Sequence, residues 1–269
     1  MEELGCIDAI KDCDSLKTAY KQIVRCHHWV YERAGILHRD ISVKNLMFRQ
    51  KNDTIVGVLN DFDLATPAAK LDKGPTSKQR TGTWPYLAIE LLDPSTWLQP
   101  PPHLYRYDLE SFFWVLLTLA VDPDKSVTYN ILRWSEYDHV TLYNTKSSFF
   151  FNVGIQETPL QPQYERLRDR LTHLAYLFDD AKRARQYAEI PNPRCMSSKM
   201  PAVKNEAASR IFKCAFNMTF WSRFTPSYNH LPLGIEPARI ASSGCDFRQG
   251  VDRAVCSGNS RGFTYSARH

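Results

Sequence analysis

A mainly α fold with one small β-hairpin is what this sequence predicts, on three observations. Ser15 to Ala34, Tyr107 to Val121 and Tyr164 to Ala188 each carry a helical pattern of apolar residues. Two short apolar runs, Leu46-Met47-Phe48 and Ile55 to Leu59, flank the polar turn Gln50 to Asp53, which is a hairpin signal. The 269 residues are 43% hydrophobic and 23% charged, the balance of a soluble globular chain able to bury a sizeable core.

Taken in order, residues 1–14 form a mixed polar lead-in without a strong period. Leu16, Ala19, Ile23, Val30 and Ala34 then fall near helical spacing, with Ser15 as the expected N-cap and Gly35 as the stop. The hairpin follows. Thr66 to Arg80 is a polar loop rich in Lys, Pro, Ser and Thr. A proline-punctuated stretch, Pro94 to Pro102, leads into Tyr107–Val121, whose apolar residues all round specify a helix buried on every side. Residues 124–160 show no clear period. In the last helix Leu167, Leu171, Leu174, Ala175 and Phe178 share one face. From Pro191 the composition breaks, and only Ala202 to Phe216 reads as helix. The expected organisation is therefore a lead-in (1–14), a domain (15–190) and a basic, poorly ordered tail (191–269).

Several function classes drop out early. The seven cysteines (Cys6, Cys13, Cys26, Cys195, Cys214, Cys245 and Cys256) form no C-x-x-C pair, a pattern of reduced thiols in a cytoplasmic or nuclear protein. No basic-then-apolar leader opens the sequence, so secretion is not expected. The longest apolar run, Phe112 to Val121, is about half a membrane span and reads as a buried helix, so no membrane partner is expected. The net charge of +5 sits in the tail, where eleven Lys/Arg face four Asp/Glu. Aromatic residues among those cations, such as Phe220, Trp221 and Phe224 near Arg223, are the ingredients of single-strand binding. A solvated basic tail is the commoner meaning, and nucleic acid is not the expected partner. Cys26-His27-His28 lies within a helix, where neighbouring side chains point apart, so no metal site is expected there.

The chemistry gathers at the end of the hairpin. His38-Arg39-Asp40 and Asn45 precede its first strand, and Asn60-Asp61-Phe62-Asp63 follows its second. A hairpin of this shape brings Asp40, Asn45 and Asp61 to one end. Three converging oxygen-bearing side chains suit hard cations and the orientation of a hydroxyl, as phosphoryl transfer requires.

His38-Arg39-Asp40, four residues and Asn45 resemble the catalytic loop of protein kinases, and Asp61-Phe62 the start of their metal-binding motif. With Asp63 where most kinases carry Gly, with Arg80-Thr81-Gly82-Thr83, and with Asp108-Leu109-Glu110-Ser111-Phe112-Phe113-Trp114, the stretch from about residue 15 to 180 resembles the fungal-type protein kinase family. The resemblance implies the helical C-terminal lobe of a kinase, using ATP and Mg²⁺ to phosphorylate protein Ser/Thr hydroxyls. It implies that Asp40 orients the acceptor hydroxyl and takes its proton, and that Asn45 and Asp61 hold the metal. It places Thr76, Ser77, Thr81, Thr83 and Glu90 in an activation segment ending at Ala88-Ile89-Glu90, where Ala-Pro-Glu is usual. An Arg should pair with Glu90, with Arg170 and Arg185 as candidates.

His38, Arg39 and Asp108 are implied as support. Asp108 would bond the catalytic-loop backbone, or be an ordinary acid at a helix N-terminus. Arg39 would bind a phosphate on Thr76, Ser77 or Thr81, or be a surface cation.

Three departures qualify the resemblance. Ser42 stands where Ser/Thr kinases carry a phosphate-contacting Lys, and Lys44 does not match that position. Asp63 replaces a conformationally free Gly and is either a further metal ligand or a loop charge. No G-x-G-x-x-G occurs, and no nucleotide-binding Lys can be assigned. The expected reading is thus a kinase lobe without its nucleotide roof, weak or inactive alone, with a protein as substrate or partner. The alternatives are a pseudokinase scaffold and, less favoured by the Gly82–Glu90 segment, a small-molecule kinase of the aminoglycoside or choline type.

Overall fold

The computed structural model describes residues 3–51, 54–71, 82–96, 98, 101–125, 129–152, 154–189 and 253–255. Gly5–Cys6 (β1) opens the fold and pairs antiparallel with the hairpin, Gly5 opposite Phe48 and Cys6 opposite Met47. The lead-in is therefore part of the body. Its Ile7 and Ile10 are buried, and Tyr164 donates a 2.8 Å hydrogen bond to the Ile10 carbonyl.

Helix α1 spans Cys13–Ala34. It starts two residues before the expected Ser15 cap, because Asp12 accepts from the Ser15 N–H at 2.7 Å. That side chain satisfies one of the N–H groups every helix leaves open at its start. Gly35 ends the helix in the left-handed region (φ 62°) and donates to Tyr31 O at 2.8 Å. Glycine adopts that conformation without the Cβ clash.

Ile36–Leu37 (β2) then carries the chain toward the catalytic-loop motif. The hairpin is Leu46–Lys51 (β3) and Thr54–Asn60 (β4), registered from Leu46 opposite Leu59 to Lys51 opposite Thr54. This register sets Asn45 and Asp61 at the same end. Strand β4 also lies on α1, where Gln22 accepts from the Gly57 N–H at 2.7 Å.

Thr66–Pro67 (β5) pairs with β2, and two single-turn helices follow, Ala68–Leu71 (α2) and Ile89–Leu92 (α3). Tyr105–Ala120 (α4) is the central helix. It is buried on nearly every face, with Phe112, Phe113, Trp114 and Val115 fully enclosed. Trp114 packs edge-on to Trp134 at 5.2 Å and stacks on Phe150 at 4.7 Å. Truncating such a side chain to Ala costs about 3–5 kcal/mol in well-packed cores.

The stretch without a readable period contains a 3₁₀ segment, Ile131–Glu136, and helix α5, His139–Phe151. Asp138 caps α5 through the Val140 and Thr141 N–H groups. The buried stripe of α5 is Leu142, Lys146, Phe149 and Phe150. One of its four positions is a lysine, which breaks the apolar pattern and hid the helix.

The last long helix reads as expected but begins as a 3₁₀ turn, Pro162–Leu167, before Arg168–Glu189 (α6). Arg253–Val255 (β6) adds a strand to β4, giving the order β1-β3-β4-β6. Those three residues are the only described part of the tail, and they pair with the sheet. The candidate helix Ala202–Phe216 and the basic-aromatic stretch lie outside the described residues. Among the described residues no helix is long and apolar enough to cross a membrane.

Candidate active site

Asp108, one turn into α4, is the foundation of the site. Its carboxylate is buried, 1% exposed. Oδ2 accepts from the His38 backbone N–H at 2.9 Å, and Oδ1 from the Arg39 N–H at 3.1 Å. His27 Nε2 lies 2.9 Å from Oδ2, and His103 Nε2 lies 2.7 Å from Oδ1. Burial alone would raise the pKa of this carboxyl. The facing His103 and His27 rings and their hydrogen bonds outweigh it and hold the group well below the usual carboxylate range. Asp108 thus ties the His38–Arg39 backbone to α4 through two hydrogen bonds, which an ordinary helix-terminal acid would not do.

His38 is buried beside it. Its Nε2 lies 3.0 Å from the Asn60 carbonyl, which bridges the two loops at the hairpin end, and its ring packs on Phe62 at 4.7 Å. Burial lowers the pKa of this imidazole, with the Asp108 charge opposing the shift.

Asp40 is held from two directions. Asn45 Nδ2 donates to its Oδ2 at 3.0 Å and to its carbonyl at 2.9 Å. The Thr83 N–H and hydroxyl both donate to Oδ1, each at 2.7 Å. Thr83 reaches this position because Gly82 takes φ 117°. A Cβ at Gly82 would meet the Arg39 carbonyl at 2.9 Å, so both conformation and space demand glycine there.

Asp61 is exposed, and its Oδ1 accepts from the Asp63 N–H at 3.3 Å. Arg39 and Asp61 are two of the three described non-glycine residues with positive φ (69° and 61°). Left-handed backbone of this kind is uncommon outside Gly, Asn and Asp. Asp63 does not share it, so the left-handed residue of the triplet is Asp61, and the Asp at 63 costs no strain.

A divalent cation fits the oxygen donors present. Asn45 gives its NH₂ to Asp40, which leaves Oδ1 as the only atom of its side chain able to serve as a ligand, and Asp61 offers an exposed carboxylate. Among the described residues no group of three or more His, Cys, Asp and Glu side chains could hold a metal ion. Mg²⁺ does not need one, because it is bound through one or two protein oxygens plus substrate phosphates and waters.

The activation-segment residues divide. Thr76, Ser77 and Thr81 lie outside the described residues. Thr83 joins the site. Glu90 forms an ion pair with Arg106 and accepts from the Tyr107 hydroxyl at 2.8 Å. Arg106 was not among the candidates for this pairing; it sits only 16 positions along the chain, where the resemblance pointed to the later Arg170 and Arg185. The Arg39 guanidinium donates to the Thr66 hydroxyl at 2.8 Å, a threonine not among the expected phosphate acceptors. Sequence reasoning also missed His27 and His103 as partners of Asp108. His27 sits on the buried face of α1 with Tyr20, Ile23 and Val24, and that placement was its one visible signal.

Residues 6–120 match the family described as fungal protein kinase. Over this stretch the chain is similar to fungal protein kinases. The match covers α1, the hairpin with Asp40, Asn45 and Asp61, the Thr83–Glu90 segment and all of α4. No curated protein matches the chain. The matched family is one of phosphotransferases.

Proposed function

We propose that this chain carries the hydroxyl-and-metal side of a protein kinase site, transferring the γ-phosphoryl group of ATP to a protein Ser or Thr hydroxyl. The observation that supports this most is the two-sided grip on Asp40. Four hydrogen bonds from Asn45 and Thr83 fix its carboxylate and carbonyl. A carboxylate fixed in this way can accept a hydrogen bond from an acceptor hydroxyl without spending binding energy on its own orientation. As the new bond from the acceptor oxygen to phosphorus forms and the bond from phosphorus to the ADP oxygen breaks, the hydroxyl proton passes to Asp40. Asn45 Oδ1 and Asp61 would hold Mg²⁺. The ion would neutralise charge on the phosphates.

Phosphoryl transfer depends mostly on positioning the triphosphate, and no G-x-G-x-x-G loop occurs in the sequence. The chain by itself is therefore expected to work slowly. The test is incorporation of label from γ-labelled ATP into a general protein acceptor, comparing the chain with Asp40→Asn. Slow incorporation, reduced about a hundredfold by the variant, is the expected result. Incorporation that the variant leaves unchanged, or none at millimolar Mg²⁺ and ATP, overturns the reading. Robust turnover by the chain alone would overturn only the expectation of slow transfer.

A further inference from the structure

The buried lysine of α5 has no part in the chemistry above. Lys146 is 0% exposed. Its Nζ donates to the Leu87 carbonyl at 2.7 Å and lies 4.6 Å and 5.3 Å from the ring centres of Trp114 and Trp134. At the same short segment, Glu110 of α4 accepts from the Ile89 N–H at 2.8 Å and from Trp114 Nε1 at 3.0 Å.

These contacts converge on three consecutive residues. Ile89 is the first residue of α3, and the N-cap position, Ala88, has no side chain able to cap it. Glu110 supplies that cap from a different helix. Leu87, the residue before the cap, gives its carbonyl to the ammonium. A methionine of similar length would fill the same space without the cost of burying a charge. What only the lysine adds is a donor aimed at the Leu87 carbonyl.

We propose that Lys146 is a positioning residue: with Glu110 it clamps the backbone at Leu87 and Ile89, and so holds the segment on which Thr83 grips Asp40. The segment lies beside the carboxylate that receives the acceptor hydroxyl, so the clamp presents the platform for the protein substrate. This role rests on the phosphotransfer reading, whereas the clamp itself does not.

Amide hydrogen exchange over residues 83–90 tests the clamp without any need for activity. In Lys146→Met the exchange of this segment should accelerate about tenfold or more, while α1 keeps its protection. Lys146→Gln keeps a donor for the Leu87 carbonyl and should hold the segment within about threefold of the parent chain. If the lysine merely fills volume, the apolar methionine will protect the segment as well as glutamine does, and that ranking overturns the proposal. Acceleration spread equally over α1 overturns it too.

Should Lys146→Met not fold, Lys146→Gln decides alone: protection near the parent value supports the clamp, and about tenfold loss refutes it. In the labelling assay, Lys146→Met should raise KM for the protein acceptor and leave KM for ATP unchanged. If the exchange results hold but no variant and no parent chain transfers phosphate, the clamp stands and the phosphotransfer reading fails.

Discussion

Two carboxylates of this region, Asp108 and Asp61, live under opposite conditions. Asp108 is enclosed, accepts two backbone N–H bonds and faces two histidine rings. Asp61, at the hairpin end, is exposed, and its one described hydrogen bond is to its own turn. The difference separates holding from working. A carboxylate that fixes backbone must be buried, because there each hydrogen bond is strong and each unpaired group costly. A carboxylate that binds a cation must keep its oxygens open to it. Asp40 stands between them, fixed by Thr83 and Asn45 yet only half-buried.

The sharpest way to break this comparison is to remove the buried member. Asp108→Ala should cost about 3–5 kcal/mol of folding stability in urea denaturation, since it strands two histidines and two backbone N–H groups in the interior. A loss below about 1 kcal/mol would mean that the network is not what ties the catalytic loop to α4. Asp61→Asn should do the reverse. Asn tolerates the left-handed backbone at φ 61°, so stability should stay within about 0.5 kcal/mol. Asp40-dependent transfer should nonetheless fall about a hundredfold with the lost carboxylate charge. A destabilised Asp61→Asn variant would move Asp61 into the structural class and dissolve the contrast.

How much of this was legible in the sequence follows the same division. The groups proposed for the chemistry sit in short local patterns: Asp40 and Asn45 five residues apart, Asp61 directly after a strand. The hairpin register sets Asn45 and Asp61 at one end, while Asp40 also needs Thr83, 43 positions along the chain. The groups that hold are long-range. His27 meets Asp108 across 81 residues and Lys146 meets Leu87 across 59, and no periodicity announces such a pairing. A polar residue on an apolar stripe weakens the stripe, and the buried Lys146 does this to α5. Glu90 shows the intermediate case. Its need for an arginine was foreseeable from the resemblance, but the partner, Arg106, is set by how α3 docks on the start of α4.

The smallest effect is a pH dependence carried by His38. Burial lowers the pKa of its imidazole in the folded chain, while an unfolded histidine titrates near about 6.5. Below that value the unfolded chain takes up a proton that the folded chain resists, so the unfolded state binds more protons and stability falls as the pH drops. Above it neither state is protonated at this site and the contribution is flat. The expected slope is at most about 1.4 kcal/mol per pH unit, beginning near 6.5 and running down to the lowered folded value. His27 and His103 also meet the Asp108 carboxylate, so the total slope of the parent chain is not the right measure. The difference between the parent and His38→Gln is, because the other two histidines are common to both. Urea midpoints between about pH 7.5 and 5 should converge as the pH falls, the parent losing stability faster than the variant. Parallel curves would show that the ring at 38 takes up its proton as easily folded as unfolded, and that the interior around Asp108 is wetter than its enclosure implies.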